Sequence, residues 1–166
     1  IYESGKQEIC IHSCVSYSVL YVKVFLLIKI AFYLEPLASL TKRRNAASVK
    51  LTKKSKLFKT IIAAIQEKKG ENIVSLDLRK IPEAVADFFI VCEATSGPQI
   101  KAIADNVVDK VKEICGENVF HKEGFQNLQW VLIDFVNIVV HVMHPEMRKF
   151  YTLEEMWSDA AAEEHQ

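Results

Sequence analysis

Glycine is scarce and scattered in this sequence. Five occur in 166 residues, and the nearest pair is Gly116 and Gly124. That spacing excludes the Gly-x-Gly-x-x-Gly turn of dinucleotide-binding folds, a Walker loop and the Gly-x-Ser-x-Gly elbow of α/β-hydrolases. Cysteine is as sparse: Cys10, Cys14, Cys92 and Cys115. "CIHSC" lacks the second ligand pair that a structural zinc site needs. Cys92 stands in an apolar run and Cys115 at a helix end, the usual places of reduced, packed thiols. Net charge is missing too, since 21 Lys/Arg balance 21 Asp/Glu. The balance is uneven. Residues 1–50 carry seven Lys/Arg against three Asp/Glu, and residues 51–166 carry fourteen against eighteen. A mildly acidic body argues against phosphate-backbone binding as the main source of affinity. A DNA partner is therefore not expected, and any rRNA contact is secondary.

Methionine is absent before Met143, and the chain begins with Ile1. Residues 1–55 read as a poorly defined extension. "VSYSVLYVKVFLLIKIAFYL" (15–34) is about long enough to span a bilayer. Lys23 and Lys29 lie inside it, however, and each costs roughly 2.5–3.5 kcal/mol at a helix centre. Glu3 and Glu8 precede the run and no small-residue cleavage site is clear, so a secretory signal fits poorly. Three readings stay open: translation extended upstream of the true start, a membrane or targeting segment, or an accessory helix. "TKRRNAASVKLTKKSK" (41–56) reads as a basic linker or as the start of the true protein. A single globular domain is expected over 56–160, with 161–166 as a tail.

From Lys56 the pattern is regular. Leu57, Ile61, Ile62 and Ile65 recur at helical spacing with Phe58 beside them, and "KKG" stops the helix. "NIVSLDLRKI" (72–81) alternates like a strand. "DFFIVCEA" (87–94) is apolar enough to be a central strand. In "TSGPQIKAIADNVVDKVKEICG", Ser96 or Thr95 caps a helix and Pro98 suits its first turn. Ile100, Ile103, Ala104, Val107, Val111 and Ile114 form its apolar stripe. "NVFHKEG" is a short strand or loop, and "QWVLIDF" with "NIVVHVM" a hairpin. "PEMRKFYTLEEMWSDAAAEE" gives two short helices, the second capped by a Thr152–Glu155 capping box. The order α-β-β-α-β-β-β-α predicts an α/β (α+β) domain with a mixed sheet of about five strands flanked by helices.

If Val136 and Asn137 form the hairpin turn, Phe135 pairs with Ile138, Ile133 with Val140 and Val131 with Val142, and their shared face is core. The other face carries Trp130, Leu132, Asp134, Val139, His141 and Met143. A partner or a helix of the same chain must cover it. Asp134 and His141 are diagonal neighbours there, the acid and base of a hydrolytic triad with Ser96 as nucleophile. Ser96 to Gln99, at a helix N-terminus, is also a candidate anion site for a nucleotide-binding enzyme. Neither has its supporting residues. His141 and His144 are three apart in a strand and point to opposite faces, so no metal site is expected. No cofactor or small-molecule substrate is implied.

Four blocks in order, "IQEKKGENIVSLDLRKI", "ADFFIVCEATSGPQIKAIADNV", "KEGFQNLQWVLIDFVNIVVHVM" and "PEMRKFYTLEEMW", resemble the ribosomal silencing factor (Iojap) family over about residues 57–159. The resemblance implies a mixed-sheet domain similar to a nucleotidyltransferase core without its catalytic residues. It implies no catalysis. It implies instead binding to ribosomal protein uL14 on the large subunit, with steric blocking of subunit joining when nutrients are scarce. A homodimer in the free state is a further expectation, as is a cytoplasmic, bacterial setting unless the N-terminal segment directs the chain to a membrane or organelle. Carried over by motif position, the resemblance implies a uL14 interface of Trp130, Asp134, His141, Arg148, Tyr151 and Trp157, to which the hairpin face adds Leu132 and Met143. Asp77, Asp87, Ser96, Gln99, Asp105, Glu123 and Gly124 occupy motif positions without an assigned role. The family reads Asp-Tyr-Gly-Asp where this chain has Asp134, Phe135, Val136 and Asn137. The tight-turn glycine and the second acid are thus missing, but Asn137 can adopt a left-handed conformation, so a hairpin is still expected. The extension lies outside the resemblance, with Val49 or Leu51 as candidate starts.

Overall fold

Helix α1 (Lys56–Glu67) forms where the sequence stripe predicts it, and Leu57, Phe58, Ile61, Ile62 and Ile65 are all buried. The computed structural model describes residues 52–82 and 84–166, all within the compact unit Ala47–Gln166. The apolar run 15–34 and Cys10 and Cys14 fall outside the described residues. The Ser55 hydroxyl accepts from the Phe58 N–H at the start of α1. At its end, Gly70 N–H donates to Ile65 O and Lys69 N–H to Gln66 O, closing the two-bond stop in which the left-handed residue is Lys69, at φ 57°. Gly70 serves a different purpose: a Cβ there would lie 2.4 Å from the Ile65 side chain.

Strands β1 (Glu71–Asp77) and β2 (Phe88–Glu93) pair antiparallel. Helix α2 (Gly97–Lys110) comes next, with Ser96 as its N-cap, accepting from Gln99 N–H, and Pro98 in the first turn. It runs into one π turn, Val111–Cys115, that ends at left-handed Gly116. The extra residue in that turn rotates the stripe. Ile114, expected in the core, is 43% exposed. Cys115 takes the inward position and packs against the core that includes α1. Then come β3 (His121–Glu123), β4 (Trp130–Asp134), β5 (Ile138–Met143), α3 (Pro145–Tyr151), α4 (Leu153–Met156) and β6 (Ala161–His165).

The sheet order is β3-β4-β5-β2-β1-β6, with β2 and β5 parallel and the other neighbours antiparallel. The sixth strand is the one the sequence hides. Residues 161–166, read as a tail, hold β6 as an edge strand on β1. Ala and Glu have little strand preference. Pairing is decided by tertiary contacts: His165 shares a 2.8 Å hydrogen bond with the Ser75 hydroxyl and packs its ring on Phe58. The expected capping box is also absent. Thr152 is left-handed, at φ 40°, because it ends α3, and its side chain caps nothing in α4.

Both sheet faces are covered. On one lie α1 and α2, with Phe88, Ile90, Cys92, Val131, Ile133, Ile138, Val140 and Val142 beneath them. On the other, Leu76, Leu78, Ala84, Ala86, Phe89 and Val139 pack with Leu132 and Trp157. Each buried aliphatic contributes about 1.5–3 kcal/mol of transfer free energy.

The hairpin register is the expected one: Val131 faces Val142 and Ile133 faces Val140. The turn differs. Val136, not Asn137, carries the positive φ, 73°. Asn137 N–H bonds to Phe135 O across it at 2.9 Å, a three-residue turn. A β-branched residue in this region costs about 1–3 kcal/mol. Val136 is 37% exposed, so its side chain gives little back through burial. Val136→Gly is expected to raise stability by about 1 kcal/mol in urea unfolding. An unchanged or lower midpoint would show that the turn relaxes around valine at no cost. Gly124 behaves in the opposite way. It sits at φ 88°, and a Cβ there would lie 1.9 Å from Trp130 O. Gly124→Ala should lower stability by roughly 3 kcal/mol or more. A thermal shift of only a degree or so would refute that close approach.

Candidate functional site

The aromatic side chains of β4 and α3 meet on the sheet face away from α1. Trp130 opens β4 opposite Met143 of β5. Its indole Nε1–H donates to His141 Nδ1 at 3.2 Å. The Tyr151 ring lies 4.9 Å from the Trp130 ring, and Phe150 meets Tyr151 edge-on at 5.0 Å. Phe150 is 71% exposed, an unusual position for a phenyl ring. The patch thus consists of half-buried Trp130, Leu132 and Tyr151, with Phe150 projecting. Phe150 is the member that motif reasoning missed. Its adjacency to Tyr151, straight after Arg148 and Lys149, was the available signal in the sequence.

The remaining sequence-derived positions separate into three roles. His141 and Met143 have no exposed surface. They lie beneath Trp130 rather than at the surface. His141 is also packed edge-on by Phe89 at 4.9 Å. Arg148 is a clamp. Its guanidinium reaches Glu154 at 2.6 Å, Glu93 at 3.6 Å and the carbonyl of Asn72 at 2.7 Å. Trp157 plugs the second core against Phe89, with a buried Nε1 that has no hydrogen-bond partner among the described residues.

Asp134 and His141 are not an acid/base pair. Asp134 Oδ1 accepts from the Val136 N–H at 2.6 Å and so holds the hairpin turn. Burial raises its carboxyl above the usual range, against the opposing pull of that bond and of His121. Burial drives the His141 imidazole down to about 3. Ser96 is spent on capping, and Gln99 Nε2 donates to Lys69 O at 2.9 Å. Asp105 pairs with Lys101, and Asp77 with Arg79 at 2.6 Å. Asp87 uses its backbone, donating to Asn137 O and accepting from Leu78 N–H. Glu123 faces His121 at 4.0 Å. No group of three or more His, Cys, Asp or Glu among the described residues is placed to hold a metal ion. Burial raises the Cys92 thiol to about 12, so it is inert. No helix among the described residues is long and apolar enough to cross a membrane.

The His141 shift has a pH consequence. The folded imidazole stays neutral down to about pH 3, whereas the unfolded one takes up a proton near 6.5. Between those values the unfolded state binds more protons, so stability falls as pH drops below about 6.5, by about 1.4 kcal/mol per pH unit. Urea unfolding between about pH 7.5 and 4.5 should show this part of the slope in the wild type and not in His141→Phe. The Asp134 contribution is common to both and cancels. Equal slopes would refute the burial of a neutral imidazole.

Sequence and structure comparisons agree on one group of proteins. The family model described as "Ribosomal silencing factor during starvation" matches residues 51–166. The chain is similar to the ribosomal silencing factor RsfS of Bacillus subtilis (strain 168): 40% identity over 104 residues, covering 63% of this chain and 86% of that one. It is also similar to the Mus musculus protein named "Mitochondrial assembly of ribosomal large subunit protein 1", 29% identical over 92 residues, or 53% of this chain and 40% of that one. A crystal structure of a Chromobacterium violaceum protein superposes with a TM-score of 0.59 at 36% identity, covering 61% of this chain and 83% of that one.

Proposed function

Since the chain belongs to the ribosomal silencing factor family, we propose that it represses translation by docking on ribosomal protein uL14 of the large subunit through the Trp130–Tyr151–Phe150 patch. Bound there, its bulk blocks joining of the small subunit when nutrients are limiting. The observation that carries this reading is the aromatic patch itself: a 71% exposed phenyl ring beside two half-buried aromatic rings. Rigid aromatics at the centre of a patch are the side chains that dominate binding energy at protein interfaces.

Charge supports the same reading. The matched region carries fourteen Lys/Arg against eighteen Asp/Glu, a sign that favours encounter with a basic ribosomal protein. A large-subunit partner is consistent with the name of the mouse relative. The work is steric, so the function requires affinity and position but no reacting group. In the free protein the same patch serves a homodimer that opens when uL14 binds. The setting is wherever the ribosomes are: the cytoplasm, or an organelle if residues 1–50 direct the chain there.

Trp130→Ala, Tyr151→Ala and Phe150→Ala each remove a candidate anchor. The expected loss at a central anchor is about 2 kcal/mol, or roughly 30-fold in Kd. Titration of purified uL14 and of large subunits measures it, with circular dichroism as the check on folding. If all three folded variants bound at wild-type strength, the patch would not be the docking surface.

A further inference from the structure

His141 is an odd occupant of its position. It lies mid-strand in β5, whose five other residues are Ile, Val, Val, Val and Met, and every residue of the strand is buried. An apolar side chain there would satisfy the core. Imidazole does not: Nδ1 has one partner, the Trp130 indole, and Nε2 is buried with none among the described residues. A buried donor without a partner is destabilising, because its hydration is lost and not replaced. Stability alone does not account for histidine here.

The geometry points to a positioning role: we infer that His141 holds the Trp130 indole in a single orientation, ready for the docking partner. This inference rests on the proposed docking patch. The Nε1–H···Nδ1 bond of 3.2 Å requires an unprotonated Nδ1, so the neutral ring carries its proton on Nε2. Burial keeps the ring neutral throughout the physiological range, so the acceptor is always present. The imidazole is itself fixed by Phe89 at 4.9 Å. The indole is thus held on one side by this bond and on another by the Tyr151 ring at 4.9 Å. A half-exposed Trp free to change rotamer would have to be ordered on binding; one already ordered does not. Trp157 offers an internal comparison, since its Nε1 has no such partner among the described residues.

Two substitutions separate positioning from mere packing. His141→Phe keeps a ring and removes the acceptor. His141→Asn places an amide oxygen near the position of Nδ1. With His141→Phe the protein should fold with equal or greater thermal stability. The order parameter of the Trp130 indole N–H in ¹⁵N relaxation should fall, and affinity for uL14 should drop about fivefold. His141→Asn should recover both the order parameter and much of the affinity despite its smaller volume. Trp130→Ala is run alongside. If Trp130→Ala weakens capture while His141→Phe changes neither capture nor indole order, the positioning role is wrong and the docking patch stands. If Trp130→Ala leaves capture unchanged, Trp130 is no anchor and the positioning role fails, while Tyr151→Ala and Phe150→Ala decide whether the docking patch fails too.

Discussion

The pairing of β5 with β2 is the constraint on which the rest of this structure depends. Six consecutive residues, Ile138 to Met143, are buried on both faces, and a strand so placed must have a covering layer on each side. Helices α1 and α2 supply one layer. Because β2 and β5 run parallel, the chain must cross over between them, and α2, β3 and β4 make up that crossover. The second layer is supplied by the β1–β2 connection, through Leu78, Ala84 and Ala86, together with Trp157 and Ala160 from the segment C-terminal to β5. The aromatic patch forms at the margin of this second layer, where α3 meets the first residue of β4.

Much of this was legible in the sequence because it rests on periodicity. The α1 stripe, the Ser96 cap, the apolar β2 run and the Val131–Val142 and Ile133–Val140 pairs all derive from spacing, and all match the structure. What was illegible depends on contacts distant in sequence. β6 is a strand because β1 needs a neighbour, not because Ala and Glu favour extended backbone. The π turn displaces Ile114 by an extra residue that no stripe reveals. The left-handed turn residue fell on Val136 rather than Asn137, since Asp134 fixes the turn through the Val136 N–H.

The candidate site was legible in part for a similar reason. Period-two alternation placed Trp130, Leu132 and Asp134 on one face with His141 and Met143, which is correct. Alternation cannot tell the surface of a face from its floor. The structure puts His141 and Met143 on the floor and adds Phe150 at the surface. Some motif positions have a role within the chain itself. Gly124 is explained by a backbone approach to Trp130, and Arg148 by its bonds within the chain.

Arg148 carries one more consequence. It sits in the same short helix as Phe150 and Tyr151, yet its guanidinium grips the Asn72 carbonyl in the irregular start of β1, Glu93 at the end of β2 and Glu154 beyond the helix. Mechanically, α3 is bolted to the adjoining ends of β1 and β2 as well as hung from its neighbours in sequence. A load applied to Tyr151 is carried into β1 and β2 through a short polar strut, in parallel with the route along the backbone. The rings of Phe150 and Tyr151 are thereby kept square to the sheet behind them, whatever pushes on them from the side.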